Sequence, residues 1–350
     1  MAPPDSMAPD ARMAAAQAAL DRLWARGRAF LGCRIAIMGG AMSWVSERTL
    51  VAAISNAGGF GVIACGAMNP DQLAAEIAAT QALTAQPFGV NLITMHPQLD
   101  DLVRVCLAAR VGHVVLAGGV PAGGTVRAVK DGGARLICFA PALVLARRLL
   151  RLGADALVIE GSEAGGHIGP VSLVVLAQEI LPHVHEVPVF VAGGLGRGEA
   201  ILACLDMGAA GAQLGTRFAA ASESIAHANF KQAFIRANAR DAVPSVQLDP
   251  RFPVIPVRGL ANAGTERFLE HQADTRRRFL AGELSREAAQ LVIEHFWAGA
   301  LRRAVIEGDV EQGSVMAGQS VGMVTAVQPV AEILAGLVGE AVAALAARGD

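Results

Sequence analysis

Between Arg34 and Thr216 the chain alternates short runs of β-branched and other apolar residues with longer Ala- and Leu-rich stretches, eight times in succession. A short apolar run without polar alternation suits a strand covered on both faces, and the regular return of helical stretches suits parallel strands joined by helical crossovers. Strands are expected at about residues 34–38, 61–64, 88–93, 113–117, 135–139, 156–159, 187–191 and 212–215. Helices are expected in the gaps, for example at 46–56, 70–83, 98–109, 142–152 and 197–207. Eight such units, each with a helix of suitable length, predict an α/β fold of the (β/α)8 or TIM-barrel type. An open doubly wound sheet is the alternative, but it does not require eight regular units.

After the eighth expected strand the rhythm breaks. Residues 222–300 carry charged helical patterns, as at 266–270 and 275–280, and a Pro-containing connector at 243–256, with no strand of equal strength. They read as a small helical insertion or lid, after which the chain returns to an apolar closing helix at about 330–348. The expected division is an N-terminal helical extension (1–30), a barrel (31–221 and 301–350) and the insertion (222–300).

Composition narrows the class. The 350 residues are 53% apolar and 17% charged, enough to bury a large core and too apolar for a disordered chain. A net charge of −2 with scattered arginines offers no footprint for nucleic acid. Apolar runs of about five to eight residues, broken by Gly, Asp or Arg, fall short of the roughly 20 that a spanning helix needs, so no membrane partner is expected. Residues 1–27 lack the basic start and apolar centre of a secretion signal, so a cytoplasmic location is expected. Five widely spaced cysteines with no C-x-x-C pair indicate neither a disulfide framework nor a zinc site.

In a barrel of this kind the residues just after each strand line the active end. Ala192-Gly193-Gly194-Leu195-Gly196 follows the seventh strand and Gly215-Thr216-Arg217-Phe218 the eighth. Two glycine turns there suit a phosphate group, because backbone N–H groups approach oxygens most closely where no Cβ intervenes; ordinary turns are the alternative. After the sixth strand, Glu160-Gly161-Ser162-Glu163-Ala164-Gly165-Gly166-His167-Ile168-Gly169 sets four glycines around one imidazole. His167 there suits proton transfer or a hydrogen bond to developing negative charge, although a lone histidine serves structure as often. Gly40, Ala41 and Met42 after the first strand would let a flat ring lie against backbone, and a tight strand-to-helix turn explains those glycines equally well. Asn91 and Gln213, at the ends of the third and eighth strands, offer amides to a polar ring edge or cap their own turns.

Absences also decide something. The only lysines, Lys130 and Lys231, are not at strand ends, which disfavours Schiff-base chemistry. His183 and His185 precede the seventh strand, at the wrong end for a metallohydrolase, and no metal is expected. There is no G-x-S-x-G and no tyrosine. A phosphate site without lysine or metal ligands points to a bound cofactor.

These residues together resemble the nitronate monooxygenase family, formerly called 2-nitropropane dioxygenases, which includes the FMN-dependent enoyl-acyl-carrier-protein reductases of type II. The resemblance covers nearly all of 34–338, and its most specific element is E-A-G-G-H-I-G from Glu163 to Gly169. V-A-G-G-L-G, P-F-G-V-N-L and Q-L-G-T-R-F join it, as does the late segment from Gly308 to Gln319, similar to one shared with the reductases. The resemblance implies FMN with its phosphate on Gly193, Gly194, Gly215 and Thr216, with Asn91 and Gln213 near the ring or ribityl chain. Gly40, Ala41, Met42, Glu163 and Gly166 complete the expected cofactor contacts, and His167 matches the family's active-site histidine. One departure is Gly39-Gly40-Ala41-Met42 where the family often has Gln-Gly-Gly-Met, so any role of that Gln is lost or moved.

The implied activity is oxidation of alkyl nitronates by O2 to a carbonyl compound and nitrite. The alternative is NAD(P)H-dependent reduction of an enoyl thioester or a quinone, with NAD(P)H as co-substrate. A flavin-free barrel binding a phosphorylated metabolite is the reading from another class. The expected partners are a small-molecule substrate, nitronate or enoyl thioester, with a homodimer left open.

Overall fold

The computed structural model describes residues 9–252 and 255–348; the first eight residues of the expected extension, two residues of the connector and the last two of the chain lie outside the described residues. Among the described residues eleven strands occur in order: β1 (Ile37–Gly39), β2 (Gly61–Ala64), β3 (Phe88–Ile93), β4 (His113–Ala117), β5 (Arg135–Phe139), β6 (Ala156–Glu160), β7 (Gly166–His167), β8 (Val189–Ala192), β9 (Gly211–Leu214), β10 (Ala242–Pro244) and β11 (Val257–Leu260). Eight form one parallel sheet in the order β1-β9-β8-β6-β5-β4-β3-β2, with helices in the connections. Its two edges meet at a parallel bridge between Met38 and Phe60, where Phe60 N–H donates to Ile37 O at 2.9 Å and Gly39 N–H to Phe60 O at 2.8 Å. The sheet closes, and the fold is the expected (β/α)8 barrel.

Strand boundaries shift for local reasons. The strand expected from 187 begins at Val189, because Pro188 has no N–H to give a ladder. The last barrel strand stops at Leu214, since Gly215 turns to φ −110°, ψ −69° and opens the short helix Thr216–Ala219.

Side chains alternate along each strand, so one parity faces inward and the other meets the helices. Met38, Val62, Val115, Ile137, Ala156, Val158, Phe190 and Ala192 pack together inside the barrel. Ile63, Val90, Leu92, Leu136, Leu157, Ile159 and Val191 belong to the layer between sheet and helices. This parity is what locates the site below.

The closing helix Val330–Ala347 packs against Pro9–Leu23 and Gly198–Asp206, burying Val330, Ile333, Leu334, Leu337, Ala341 and Leu345. By length and composition it would cross a bilayer, a feature that counting short apolar runs overlooked. Its apolar face is instead taken up by packing. Helix Ala25–Leu31 lies under the opposite end of the barrel, where Phe30 and Leu31 join the inner cluster.

The insertion departs from the helical expectation. It does hold helices Ala263–Leu280 and Arg286–Arg302 around a satellite core of Phe252, Phe268, Ala289 and Ile293. Asn262 and Ser285 cap them, their side chains accepting from Thr265 N–H and Ala288 N–H. It also carries β10 and β11, which pair antiparallel, and β11 pairs in turn with β7. These short strands lack a pattern of their own. They exist because Val257 and Arg258 find His167 and Gly166 as partners across 90 and 92 residues of chain, and tertiary pairing overrides local preference.

Candidate active site

Gly193 and Gly194 follow β8 with φ of 95° and 71°, a region open to glycine and costly for other residues. A Cβ on Gly193 would stand 2.9 Å from Gly161 O, and one on Gly194 would stand 2.9 Å from Glu163 Cβ. Contact with the loop after β6 therefore demands these glycines on its own account. What points to a ligand is different. Among the described residues, the backbone N–H groups of Gly193, Gly194, Gly215 and Thr216 donate to nothing. Four unspent donors in the turns after two adjacent strands form a cradle open to acceptor atoms.

The neighbouring rim is built from the β1 turn. Gly40 N–H donates to Leu214 O at 2.8 Å, which draws Gly40 against β9. A Cβ on Gly40 would lie 3.5 Å from Gln213 Nε2, and one on Gly215 would lie 3.5 Å from Met42 Sδ. Ser46 Oγ pins the turn by donating to Gly40 O and accepting from Met42 N–H. Gly40, Met42, Gln213 and Gly215 are thus brought together, with Ala41 between them and half-buried.

Two amides face the interior. Gln213 is out of phase with Ala212 and Leu214 of the outer layer, and Asn91 is out of phase with Val90 and Leu92. Both are more than nine-tenths buried. Asn91 Nδ2 makes one long bond to Val115 O at 3.4 Å, and the Gln213 amide makes none among the described residues.

His167 is exposed on β7, opposite Val257, and Ile168 N–H donates to Pro256 O at 2.9 Å. The glycine-rich segment around His167 thus pairs as a short strand, although Gly166 still takes φ 77°. Arg258 secures it from beneath: buried, it donates from Nε to Ser162 O at 2.9 Å and from Nη1 to Ala242 O at 2.5 Å. Burial lowers the Arg258 pKa from its ordinary value, with Glu163 pulling the other way.

Glu163 does not offer its carboxylate to the mouth. Both oxygens accept from Leu173 N–H, at 3.3 and 3.0 Å, at the start of helix Leu173–Ile180. Its carbonyl accepts from Gln319 N–H at 2.9 Å, and Thr216 Oγ1 accepts from Gly318 N–H at 3.0 Å. The late segment around Ala317–Gln319 therefore ties the histidine loop to the β9 turn, a role that motif spacing did not disclose. Arg217 turns away to Met323 O at 2.6 Å and takes no part in the cradle.

One group escaped the sequence reading. Glu160 ends β6 in phase with the inward-facing Ala156 and Val158, and burial pushes its pKa up to about 7. The available signal was an acid at the end of a barrel strand, on inward parity. Cysteine chemistry is not prepared here: burial pushes the Cys65 thiol up to about 11 and those of Cys106 and Cys138 up to about 12, so all stay protonated.

Comparison with known proteins bears on the family and the fold. The family model described as nitronate monooxygenase matches residues 27–106 and 97–340. The chain is 31% identical, over 86% of its length and 91% of the relative's, to a (3aS,4S,5R,7aS)-5-hydroxy-7a-methyl-1-oxo-octahydro-1H-indene-4-carboxyl-CoA dehydrogenase of Mycobacterium tuberculosis. It is 29% identical to a nitronate monooxygenase of Paraburkholderia phytofirmans, over 88% of this chain and 92% of that one. The solved structure of FabK from Thermotoga maritima superposes with a TM-score of 0.83 at 36% identity, covering 93% of this chain and 98% of that one. With eight parallel strands closed into a barrel and a family match over most of its length, the chain belongs to the nitronate monooxygenase family of oxidoreductases.

Proposed function

We propose that this protein is an FMN-dependent oxidoreductase that oxidises alkyl nitronates with O2 to a carbonyl compound and nitrite. The observation that carries the cofactor reading is the set of four unspent N–H groups on Gly193, Gly194, Gly215 and Thr216, which suits a terminal phosphate. Gln213, buried with its amide free, and Asn91, weakly bonded, suit the polar edge or ribityl chain of the same molecule. Gly40, Ala41 and Met42 would form the rim against which its ring lies. Bound FMN supplies electron transfer between an organic substrate and O2.

The chain's own residues then have separable tasks. His167 meets the substrate, orienting an anionic group by hydrogen bonding or moving a proton at a ring nitrogen. Arg258 and the Gly318–Gln319 segment hold its loop in place from either side. Glu163 acts through that loop, not on the cofactor.

A second reading, reduction or dehydrogenation of an acyl thioester with NAD(P)H or a thioester as the electron source, is favoured by one observation. The relatives at 31% and 36% identity carry the names of a carboxyl-CoA dehydrogenase and of FabK, and both exceed the 29% of the named nitronate monooxygenase. Anaerobic mixing of the yellow holoprotein with propyl nitronate, NADH or NADPH separates the readings. Bleaching of the flavin band by nitronate alone supports the first, and bleaching by a pyridine nucleotide alone overturns it. Colourless protein that cannot be reconstituted with FMN would remove both.

A further inference from the structure

Trp44 is an aromatic residue held where the backbone rarely allows one. It sits in the turn after β1 at φ 66°, the left-handed region that is costly for a bulky side chain, and it is 37% exposed, so burial does little to offset the strain. The turn is fixed on both sides of it. Val45 N–H donates to Met42 O at 3.0 Å, and Ser43 Oγ lies 3.4 Å from where a Cβ on Gly66 would stand, just after β2. Met42, two residues back, is on the rim against Gly215. Over the Trp44 ring, 5.8 Å from its centroid, stands the Arg302 guanidinium at the end of helix Arg286–Arg302. That helix runs directly into a π turn, Arg303–Glu307, a rare form that concentrates at functional sites. Arg302 is exposed and pairs with Glu307, while the guanidinium of the half-buried Arg303 makes no hydrogen bond or ion pair among the described residues. Two rare backbone forms, one in a barrel turn and one where the chain leaves the insertion, thus meet at an open ring and two adjacent arginines.

We propose that Trp44, Arg302 and Arg303 form an entrance subsite that takes the purine nucleotide end of a second substrate, stacking its base on the indole and pairing its phosphates with the guanidiniums. The inference rests on the second reading above, in which an acyl thioester or NAD(P)H reaches the flavin. Coenzyme A thioesters and pyridine dinucleotides share the chemistry in question, a flat base joined to phosphates. An indole face stacks on any base, and a guanidinium fork matches phosphate oxygens two at a time. The Arg302–Glu307 pair does not stand in the way, because an exposed ion pair contributes little and yields to a phosphate of higher charge. The charges next to Trp44 in the chain are already engaged, Glu47 with the N–H groups of Thr49 and Leu50, and Arg48 with Glu76. A small alkyl nitronate has neither base nor phosphate, so a subsite of this kind belongs to the second reading alone.

The test titrates the full-length, FMN-loaded protein by calorimetry with three probes: 3′,5′-ADP, the nucleotide end of coenzyme A; 2′,5′-ADP, the corresponding end of NADP(H); and pyrophosphate, which has no base. The wild type should bind at least one purine probe, and the tighter of the two names the source. Trp44→Gly removes the ring at a φ that glycine adopts freely, so the turn is kept. It should weaken the purine probe about tenfold or more and leave pyrophosphate within about twofold, whereas Trp44→Phe, which keeps a stacking face, should stay within about threefold of the wild type. Arg303→Gln should weaken the purine probe and pyrophosphate alike, by about tenfold. In turnover, Trp44→Gly should raise KM for the matching acyl-CoA or NADPH by the same factor and leave kcat within about twofold, a split that a merely structural residue does not produce. If the wild type binds neither purine probe, or Trp44→Gly binds them as tightly as the wild type, the subsite is overturned, while a flavin band altered by NADPH or acyl-CoA keeps the second reading. If neither NADPH nor an acyl-CoA alters that band, the second reading fails and this inference with it.

Discussion

At the N-terminal end of the barrel, His113 lies between Phe30 and Phe60, with ring centroids 5.3 and 4.9 Å away, while at the C-terminal end Glu160 faces the mouth with no partner among the described residues. Both side chains are on inward parity, and burial pushes each toward its neutral form, His113 down from 6.5 and Glu160 up to about 7. The lower group is enclosed by protein, although its Nδ1 is buried without a hydrogen-bond partner among the described residues. His113 Nε2 meets Phe30 O at 2.9 Å, Arg135 donates to the same carbonyl, and its guanidinium stacks 5.2 Å from the Phe30 ring. The upper group, together with Gln213 and the Gly193 and Gly215 turns, is left open. One sheet thus closes one end by packing and leaves polar atoms of the other end without protein partners, in keeping with a barrel whose bottom serves stability and whose top serves chemistry.

If that division is real, the largest perturbation at the bottom should leave binding alone. Phe60 is fully buried at the closure of the sheet, and Phe60→Ala should cost about 3–5 kcal/mol in urea unfolding. FMN affinity of the folded protein should change less than about twofold, well under the tenfold that 1.4 kcal/mol would bring. A loss of affinity comparable with the loss of stability would show that the two ends are coupled. The converse experiment is next in size. His167→Ala should keep its FMN content and melting temperature but slow flavin reduction or turnover by about 10²-fold or more, as loss of a proton-transfer group does. An unchanged rate would take His167 out of the reaction and leave the cradle without a chemical partner.

How much of this could be read from the chain follows the same division. Parallel strands buried on both faces announce themselves as unbroken apolar runs, so all eight barrel strands were legible, with errors only at ends set by single residues such as Pro188. The glycine turns after β8 and β9 were legible because their positions follow from the strands. β10 and β11 were not, since they are stabilised by pairing with β7 and with each other and carry no period of their own. Glu163 was grouped with the cofactor contacts because it stands in the motif, yet only coordinates reveal that its carboxylate turns to Leu173 N–H. Glu160 shows the reverse: its parity is readable from Ala156 and Val158, but the absence of a partner is a three-dimensional fact.

A smaller test sits where the two demands on the mouth meet. Gly194 is needed both by its φ of 71° and by the 2.9 Å approach of Glu163 Cβ, so Gly194→Ala should cost about 1–3 kcal/mol in stability and also weaken FMN, read as flavin retained through gel filtration. Destabilisation with full flavin retention would mean that the turn serves the loop and not the phosphate.

The smallest effect compares the two titrating groups directly. For His113 the folded pKa lies below 6.5, so the unfolded chain takes the proton first; its contribution is complete above pH 6.5 and is lost as pH falls below that value. For Glu160 the folded pKa, about 7, lies above the ordinary 4.5, so the folded chain holds the proton; its contribution is complete below pH 4.5 and is lost as pH rises toward 7. Between pH 5 and 6.5 the two slopes oppose each other, each at no more than about 1.4 kcal/mol per pH unit, and the wild type should show a shallow profile of urea midpoints. His113→Gln removes the rising slope, so its stability should fall with pH across this window, whereas Glu160→Gln removes the falling slope, so its stability should rise. Parallel profiles for all three proteins would show that neither end of the barrel holds its group in the neutral form, and the contrast between a closed bottom and an open mouth would then rest on geometry alone.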